Sequence, residues 1–277
     1  MSQSLRAPLS PAEACAGVVL LAGKTVRGKL TYRVSAVLSL IASALGYMVF
    51  VLVWRAVYAE NPGRLPLSAR ALFPYLLWAF ALNFALMLSV ESRFAQRVRL
   101  GLVTSDLLRP IGFLPVQLAQ AVGDVITNGW LLIPLLALGT WAFGFGVWPP
   151  TPSAALFGAL SAGLGFLVNF GVSYLLVQVI FLTDSYYGVF FTRTALQQVF
   201  SGLSAPLVLF PAPLRAVARA LPFHHVIETP VRIWLGQAAP RELPLLLLEQ
   251  AAWAAGLLLG ASAIFSAVLR RHQIQGG

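Results

Sequence analysis

Charge is missing from the middle of this chain. Between Val125 and Thr183, 59 consecutive residues contain no Asp, Glu, Lys or Arg. A domain bathed in water has no use for such a stretch, because most of its surface must be hydrated. A bilayer demands it, since a charge at the membrane centre costs roughly 2.5–3.5 kcal/mol even on mild insertion scales. Charged residues make up only 10% of the whole chain, against about 25% in soluble domains. The single Cys15 excludes an internal disulfide. Met1 to Pro11 is polar and Pro-containing, and no basic region directly precedes the short apolar stretch after it, so no secretory signal peptide is read there. The first span then doubles as the insertion signal.

What is present is apolar length. Hydrophobic residues are 58% of the chain and the mean hydropathy is +0.81. The long uncharged run is cut once, at Pro149-Pro150-Thr151-Pro152, into two pieces of spanning length. Four more charge-free windows, 34–54, 71–90, 194–214 and 250–269, suit a hydrocarbon core that needs about 20 helical residues. The windows are continuously apolar rather than alternating, which selects helices over a barrel. The expected fold is therefore an all-α integral membrane domain of about six spans over residues 1–277. Its parts are an interfacial helix at 12–33, span one at 34–58, span two at 71–90 and a cytoplasmic loop at 91–116. Span three follows at 117–145, span four at 153–183 and span five at 188–210. A folded-back outer segment at 211–243 and span six at 244–269 complete it. Spans and connections use up the chain, leaving no room for a soluble catalytic domain.

A net charge of +10 invites a nucleic-acid reading, but the placement of the cations argues against it. Lys24, Arg27, Lys29 and Arg33 precede span one; Arg93, Arg97, Arg99 and Arg109 lie between spans two and three; Arg270-Arg271 follow span six. With both termini cytoplasmic, all three clusters fall inside, as the positive-inside rule prefers. Arg215, Arg219, Arg232 and Arg241 run against this orientation, but in a longer outer segment where the rule has less force.

Residues 12–33 read as an amphipathic helix on the inner membrane surface, with Val18, Leu21 and Leu30 facing lipid and the cations facing head groups. Gly23-Lys24-Thr25 within it lacks the Gly that a P-loop needs five positions earlier, where Val18 stands. In the cytoplasmic loop, Glu91 to Arg99 can extend span two as a helix that Gly101 ends. Thr104-Ser105-Asp106 then offers caps for a short helix through Leu107-Leu108-Arg109, stopped by Pro110. That helix is either a solvated topology signal or a docking element, since paired exposed Leu need a cover. Beyond span five, Pro206, Pro211, Pro213, Pro222 and Pro230 forbid one straight helix. Two short amphipathic helices, 214–221 and 226–235, instead dip into the outer leaflet, where irregular backbone must be sheltered by protein or line a wet cavity.

These residues resemble the ABC-2 type permeases, in particular a bacterial six-span branch that includes viologen and drug exporters. The resemblance rests on Arg99-Leu100-Gly101 with Asp106-Leu107-Leu108-Arg109-Pro110, and on Ser201-Gly202 with Ala205-Pro206-Leu207 and Phe210-Pro211. Leu221-Pro222-Phe223, Thr229-Pro230, Leu235-Gly236 and the closing Gly276-Gly277 continue it in order. It implies the membrane half of an ABC exporter, in which two permease copies or related chains pair and a separate ATPase dimer docks beneath. ATP and Mg would then be bound by that partner, with no cofactor on this chain. The elbow would be residues 12–33, and Arg97, Arg99, Gly101, Asp106, Leu107, Leu108, Arg109 and Pro110 would form the coupling surface. Pro206, Pro211, Leu221, Pro222, Phe223, His224, Pro230 and Gly236 would build the outer gate. Glu91, Asp124 and Glu249 are the candidate polar residues of the path, and membrane lipids are further partners.

Two other classes compete. An intramembrane hydrolase would pair Ser204 with His224 or His225, but nucleophile and base must meet within hydrogen-bond reach and no predicted span contains His. A metal site at His224, His225 and Glu228 is disfavoured because adjacent His on a helix point apart. An ion-coupled carrier or channel is the runner-up, and it would place ionisable groups near the midplane.

Overall fold

The computed structural model describes residues 33–61, 63–100, 113–130, 132–143, 148–183 and 186–274, together with Leu20, Gly23, Thr25 and Val26. Most of the expected elbow and the coupling helix at 106–109 lie outside the described residues. Among those described, every regular element is helical. Five helical stretches, not all of them a single helix, are long and apolar enough to cross a membrane: Val37–Glu60, Ala69–Arg97, Phe113–Trp141, Pro152–Val179 and Pro240–Ala267. The protein is thus an all-α, multi-pass membrane protein.

In chain order the elements are α1 (Arg33–Glu60), α2 (Ala69–Ala85), α3 (Val90–Arg99), α4 (Phe113–Trp130) and α5 (Leu132–Phe143). They are followed by α6 (Pro152–Thr183), α7 (Tyr186–Phe200), α8 (Ala212–Ala220), α9 (Glu228–Trp234) and α10 (Leu243–Ile274). Short 3-10 turns at Leu207–Leu209, Pro222–His225 and Pro240–Glu242 punctuate the last part. At 1.5 Å per residue, the 32-residue α6 is about 48 Å long and overreaches the ~30 Å hydrocarbon core. It is the spine, packing against α10, α9, α3 and α7. Helix α2 is the most enclosed span, with Leu72, Tyr75, Leu76 and Leu77 fully buried. By contrast α1 and α10 turn Leu45, Leu52, Leu248 and Leu259 outward, as helices facing lipid do.

Two features depart from simple spans. The second span is not continuous: helix stops at Ala85 and resumes at Val90, so the last residues of the expected span at 71–90 fall in a break. The fifth is short. Helix α7 has 15 residues, about 22 Å, and the expected span at 188–210 ends in a buried turn instead. Gly202 in that turn sits at φ +82°, a conformation glycine adopts without a Cβ penalty. A Cβ there would also lie 2.9 Å from that of Glu228. The Gly202 carbonyl accepts from Tyr75 Oη at 2.7 Å and the Ser204 carbonyl from Trp54 Nε1 at 3.0 Å. Tyr75 lies six residues into α2, so the turn sits about 9 Å along it. Helix α7 and this turn together carry the chain back toward the end where Gly236 meets Pro150.

The folded-back segment is asymmetric. Helix α8 is exposed, Leu214 and Val217 included, whereas the stretch from Pro222 to Val231 is buried throughout. Burial is possible because α6 is small where they meet. A Cβ on Gly165 would stand 2.9 Å from the His225 carbonyl, and one on Gly158 2.9 Å from Trp234 Cα, the close approach that small residues permit between membrane helices.

Candidate functional site

The break in the second span carries no Pro or Gly; it reads Leu86-Met87-Leu88-Ser89. Nothing local forbids helix there, so the interruption is held from outside. Asn169 Nδ2 of α6 donates to the Leu86 carbonyl at 2.8 Å, and Asn128 Nδ2 of α4 to the Met87 carbonyl at 2.9 Å. Ser89 N–H donates to Asp124 Oδ2 at 2.9 Å. Backbone groups freed at membrane depth need such partners, because lipid offers none.

Around the break stand four charges in two pairs. Arg93 Nη1 lies 2.7 Å from Asp124 Oδ2, and Arg193 Nη1 lies 3.0 Å from Glu91 Oε1. Arg193 Nη2 also donates to Asn169 Oδ1 at 2.6 Å. Asp124 is 0% exposed, Glu91 2% and Arg193 8%. Glu91 sits in the first turn of α3, where the helix dipole favours an anion. Losing one partner of such a buried pair strands the other charge, at about 3–5 kcal/mol.

Arg193 is the residue that sequence reasoning missed. It falls inside the expected fifth span, and a lone cation in an apolar window is a functional-site signal by default. Arg93, read above as part of an inner topological cluster, is instead tied to Asp124 within the bundle. Beside the break lies a cavity of about 150 Å³ lined by Asn83, Met87, Arg193, Thr194, Gln197 and Gln198 among others. Gln197 Nε2 reaches Asn83 Oδ1 at 3.5 Å. Thr194 is exposed and Asn83, Gln197 and Gln198 are half-buried, so α2 and α7 present a polar strip to the outside of the bundle.

A second, larger cavity of about 620 Å³ lies between α8, α9 and the start of α10. Arg219, His224, His225, Glu228, Arg232, Glu242 and Glu249 all contribute to its wall. Burial, partly offset by Arg232, pushes the Glu228 carboxyl up to about 7. Burial, then the neighbouring His224, pushes His225 down to about 3, and burial lowers His224 as well. The two imidazole rings lie 3.9 Å apart. His224 Nδ1 is bonded to the Leu221 carbonyl at 2.9 Å, and His225 Nδ1 to Thr229 Oγ1 at 3.3 Å. Among the described residues no three His, Cys, Asp or Glu side chains are placed to hold a metal ion.

The expected site residues therefore separate. Glu91 and Asp124 meet at the broken span, with Arg97 further along α3. Arg99 closes α3, and Gly101, Asp106, Leu107, Leu108, Arg109 and Pro110 lie outside the described residues. Pro206 is buried in the turn after α7, Pro222, Phe223, His224 and Pro230 are buried in the folded-back segment, Leu221 is half-buried, and Pro211 is exposed before α8. Gly236, at φ +66°, packs on Pro150. Glu249 lines the second cavity with Arg219, while Arg215 is bonded to the Val208 and Phe210 carbonyls.

Ser204 Oγ is held by the Gln198 carbonyl and both His by the partners above, so the nucleophile–base pair of a hydrolase is not made. A helical membrane bundle with a broken span and a buried folded-back segment has the build of a transporter's membrane subunit. The chain belongs to the ABC-2 transporter family: the family model described as "ABC-2 family transporter protein" matches residues 72–276. No curated protein matches it.

Proposed function

We propose that the chain is the permease subunit of an ABC exporter in the cytoplasmic membrane, with both termini inside. It moves a hydrophobic or amphiphilic molecule, a drug-like compound or a lipid, on ATP hydrolysed with Mg by a separate ATPase dimer. Beyond the family match, one observation carries this reading: the polar strip of Asn83, Thr194, Gln197 and Gln198 beside the break. Polar side chains facing outward on membrane helices require a second chain or a wet path beside them. A second permease copy or related chain across α2 and α7 supplies both.

Force would enter through the helix at 106–109. Leu107 and Leu108 fill an apolar groove on the ATPase, contributing about 3–6 kcal/mol together at ~1.5–3 each. Arg109 at the rim adds about 1 kcal/mol or less. Replacing both Leu by Asp is expected to abolish co-purification of the ATPase while the permease still inserts. An ATPase that stays bound and drives transport with both replaced would remove this loop from the coupling surface.

The paired intramembrane charges favour one other reading, an ion-coupled carrier, but each carboxylate there faces a guanidinium. Uptake into proteoliposomes that follows an ion gradient without any ATPase would establish that carrier in place of the exporter.

A further inference from the structure

We propose that the larger cavity binds the headgroup of an amine-bearing, zwitterionic phospholipid, with the ammonium on Glu228 and the phosphate on Arg219 and Arg232. This site is separate from the polar strip on α2 and α7, and the proposal does not rest on the transport reading.

Glu228 is the residue that asks for a ligand. It is 6% exposed and lines the cavity. Its Oε1 accepts the Leu207 N–H at 3.2 Å, which ties α9 to the turn after α7. Its Oε2 has no hydrogen-bond partner among the described residues. A buried carboxylate oxygen without a donor is costly, and a primary ammonium brings both charge and three N–H donors. A choline group brings the charge without a donor, so the unsatisfied oxygen selects the primary amine.

The rest of the wall completes the zwitterion. Arg219 and Arg232 supply guanidinium groups suited to phosphate. Arg232 is held only loosely, 3.9 Å from Glu242, and keeps donors to offer. Glu249 adds a second acid. Leu245, Leu246 and Trp253 form the apolar side of the same cavity. Leu245 and Leu248 are also 59% and 66% exposed on the outer face of α10, so an acyl chain can leave the cavity along a lipid-facing helix. The wall residues of α10 fall within its first three turns after Leu243, near one end of the span Pro240–Ala267.

The test is native mass spectrometry of the full chain released from nanodiscs of phosphatidylethanolamine with phosphatidylglycerol, or of phosphatidylcholine with phosphatidylglycerol. The wild type should retain the ethanolamine lipid about tenfold or more over the choline lipid. Glu228→Gln keeps an acceptor for Leu207 and should lose that preference. Arg219→Gln with Arg232→Gln, both at the cavity wall rather than in the core, should lose retention of both lipids. Each variant is first shown to elute as the wild type does. Free O-phosphoethanolamine, added to protein stripped of lipid, distinguishes the sources. Stabilisation by the free zwitterion assigns the site to a soluble ligand of that chemistry; retention of the lipid alone assigns it to the membrane. Equal retention of the two lipids by the wild type, or an unchanged preference in Glu228→Gln, would overturn the proposal.

Discussion

Arg193 and Glu91 lie on different helices and neutralise each other inside the bundle, 3.0 Å apart. Arg193→Ala should cost about 3–5 kcal/mol because it strands Glu91, whereas Arg193→Met with Glu91→Leu should recover most of that loss. Unfolding in detergent micelles checks this, and a single variant as stable as the double would show that the pair is not felt. Glu228 gives a prediction in pH. In protein stripped of lipid its carboxyl is held at about 7 against an ordinary 4.5, so the folded chain keeps a proton that the unfolded chain has released between these values. Stability therefore falls as pH rises through that window, by about 3 kcal/mol in all. His225, pushed from 6.5 to about 3, acts in the opposite sense and weakens the fold as pH drops below about 6.5. The stability gained by Glu228→Gln over the wild type should be small at pH 4.5 and reach about 3 kcal/mol by pH 8. A difference that stays flat across this range would mean that Glu228 titrates normally.

At the scale of elements, what the sequence reveals depends on whether the cause is local. The uncharged run after Val125 predicts α6 because membrane depth excludes charge from every residue, whether it faces lipid or protein. The prolines from Pro206 to Pro230 predict a folded-back segment because each is tolerated only in the first turn of a helix and so forbids one straight helix through it. The break at Leu86 to Ser89 leaves no such mark: four helix-compatible residues are held open by Asp124, Asn128 and Asn169, between 35 and 83 positions away in the chain. The fifth span is overdrawn for the converse reason. Leu203, Leu207 and Leu209 are apolar because a buried turn rather than a continuing span sits among protein there. Asn169→Leu removes the donor to Leu86 and the acceptor for Arg193, so it should cost about 1–3 kcal/mol. Amide exchange should quicken selectively between Leu86 and Val90. Uniform quickening over the whole of α2 would show that the break is not the part Asn169 holds.

For the whole molecule, two claims about sidedness stand on different grounds and can be tested apart. That Thr151 and Ala238 share a side follows from packing, since Gly236 lies against Pro150 and α9 lies along the first half of α6. In the orientation proposed above this side is external, a reading that rests on charge: Arg97, Arg99 and Arg109 between spans two and three and Arg270-Arg271 after the last span are the cations that the positive-inside rule assigns to the cytoplasm. The pairing of Arg93 with Asp124 takes one cation out of that count and leaves the sign of the bias unchanged. In a Cys15→Ser background, single cysteines at Thr151 and at Ala238 should therefore react alike with an impermeant thiol reagent, and both from outside intact cells. A cysteine at Ser105 should stay protected until the membrane is opened. Disagreement between Thr151 and Ala238 would break the fold itself. Agreement with the sides exchanged, so that Ser105 labels and the other two do not, would leave the fold intact and invert the protein in the membrane. The loop at 106–109 would then face away from any cytoplasmic ATPase, and the docking mechanism would fall with it.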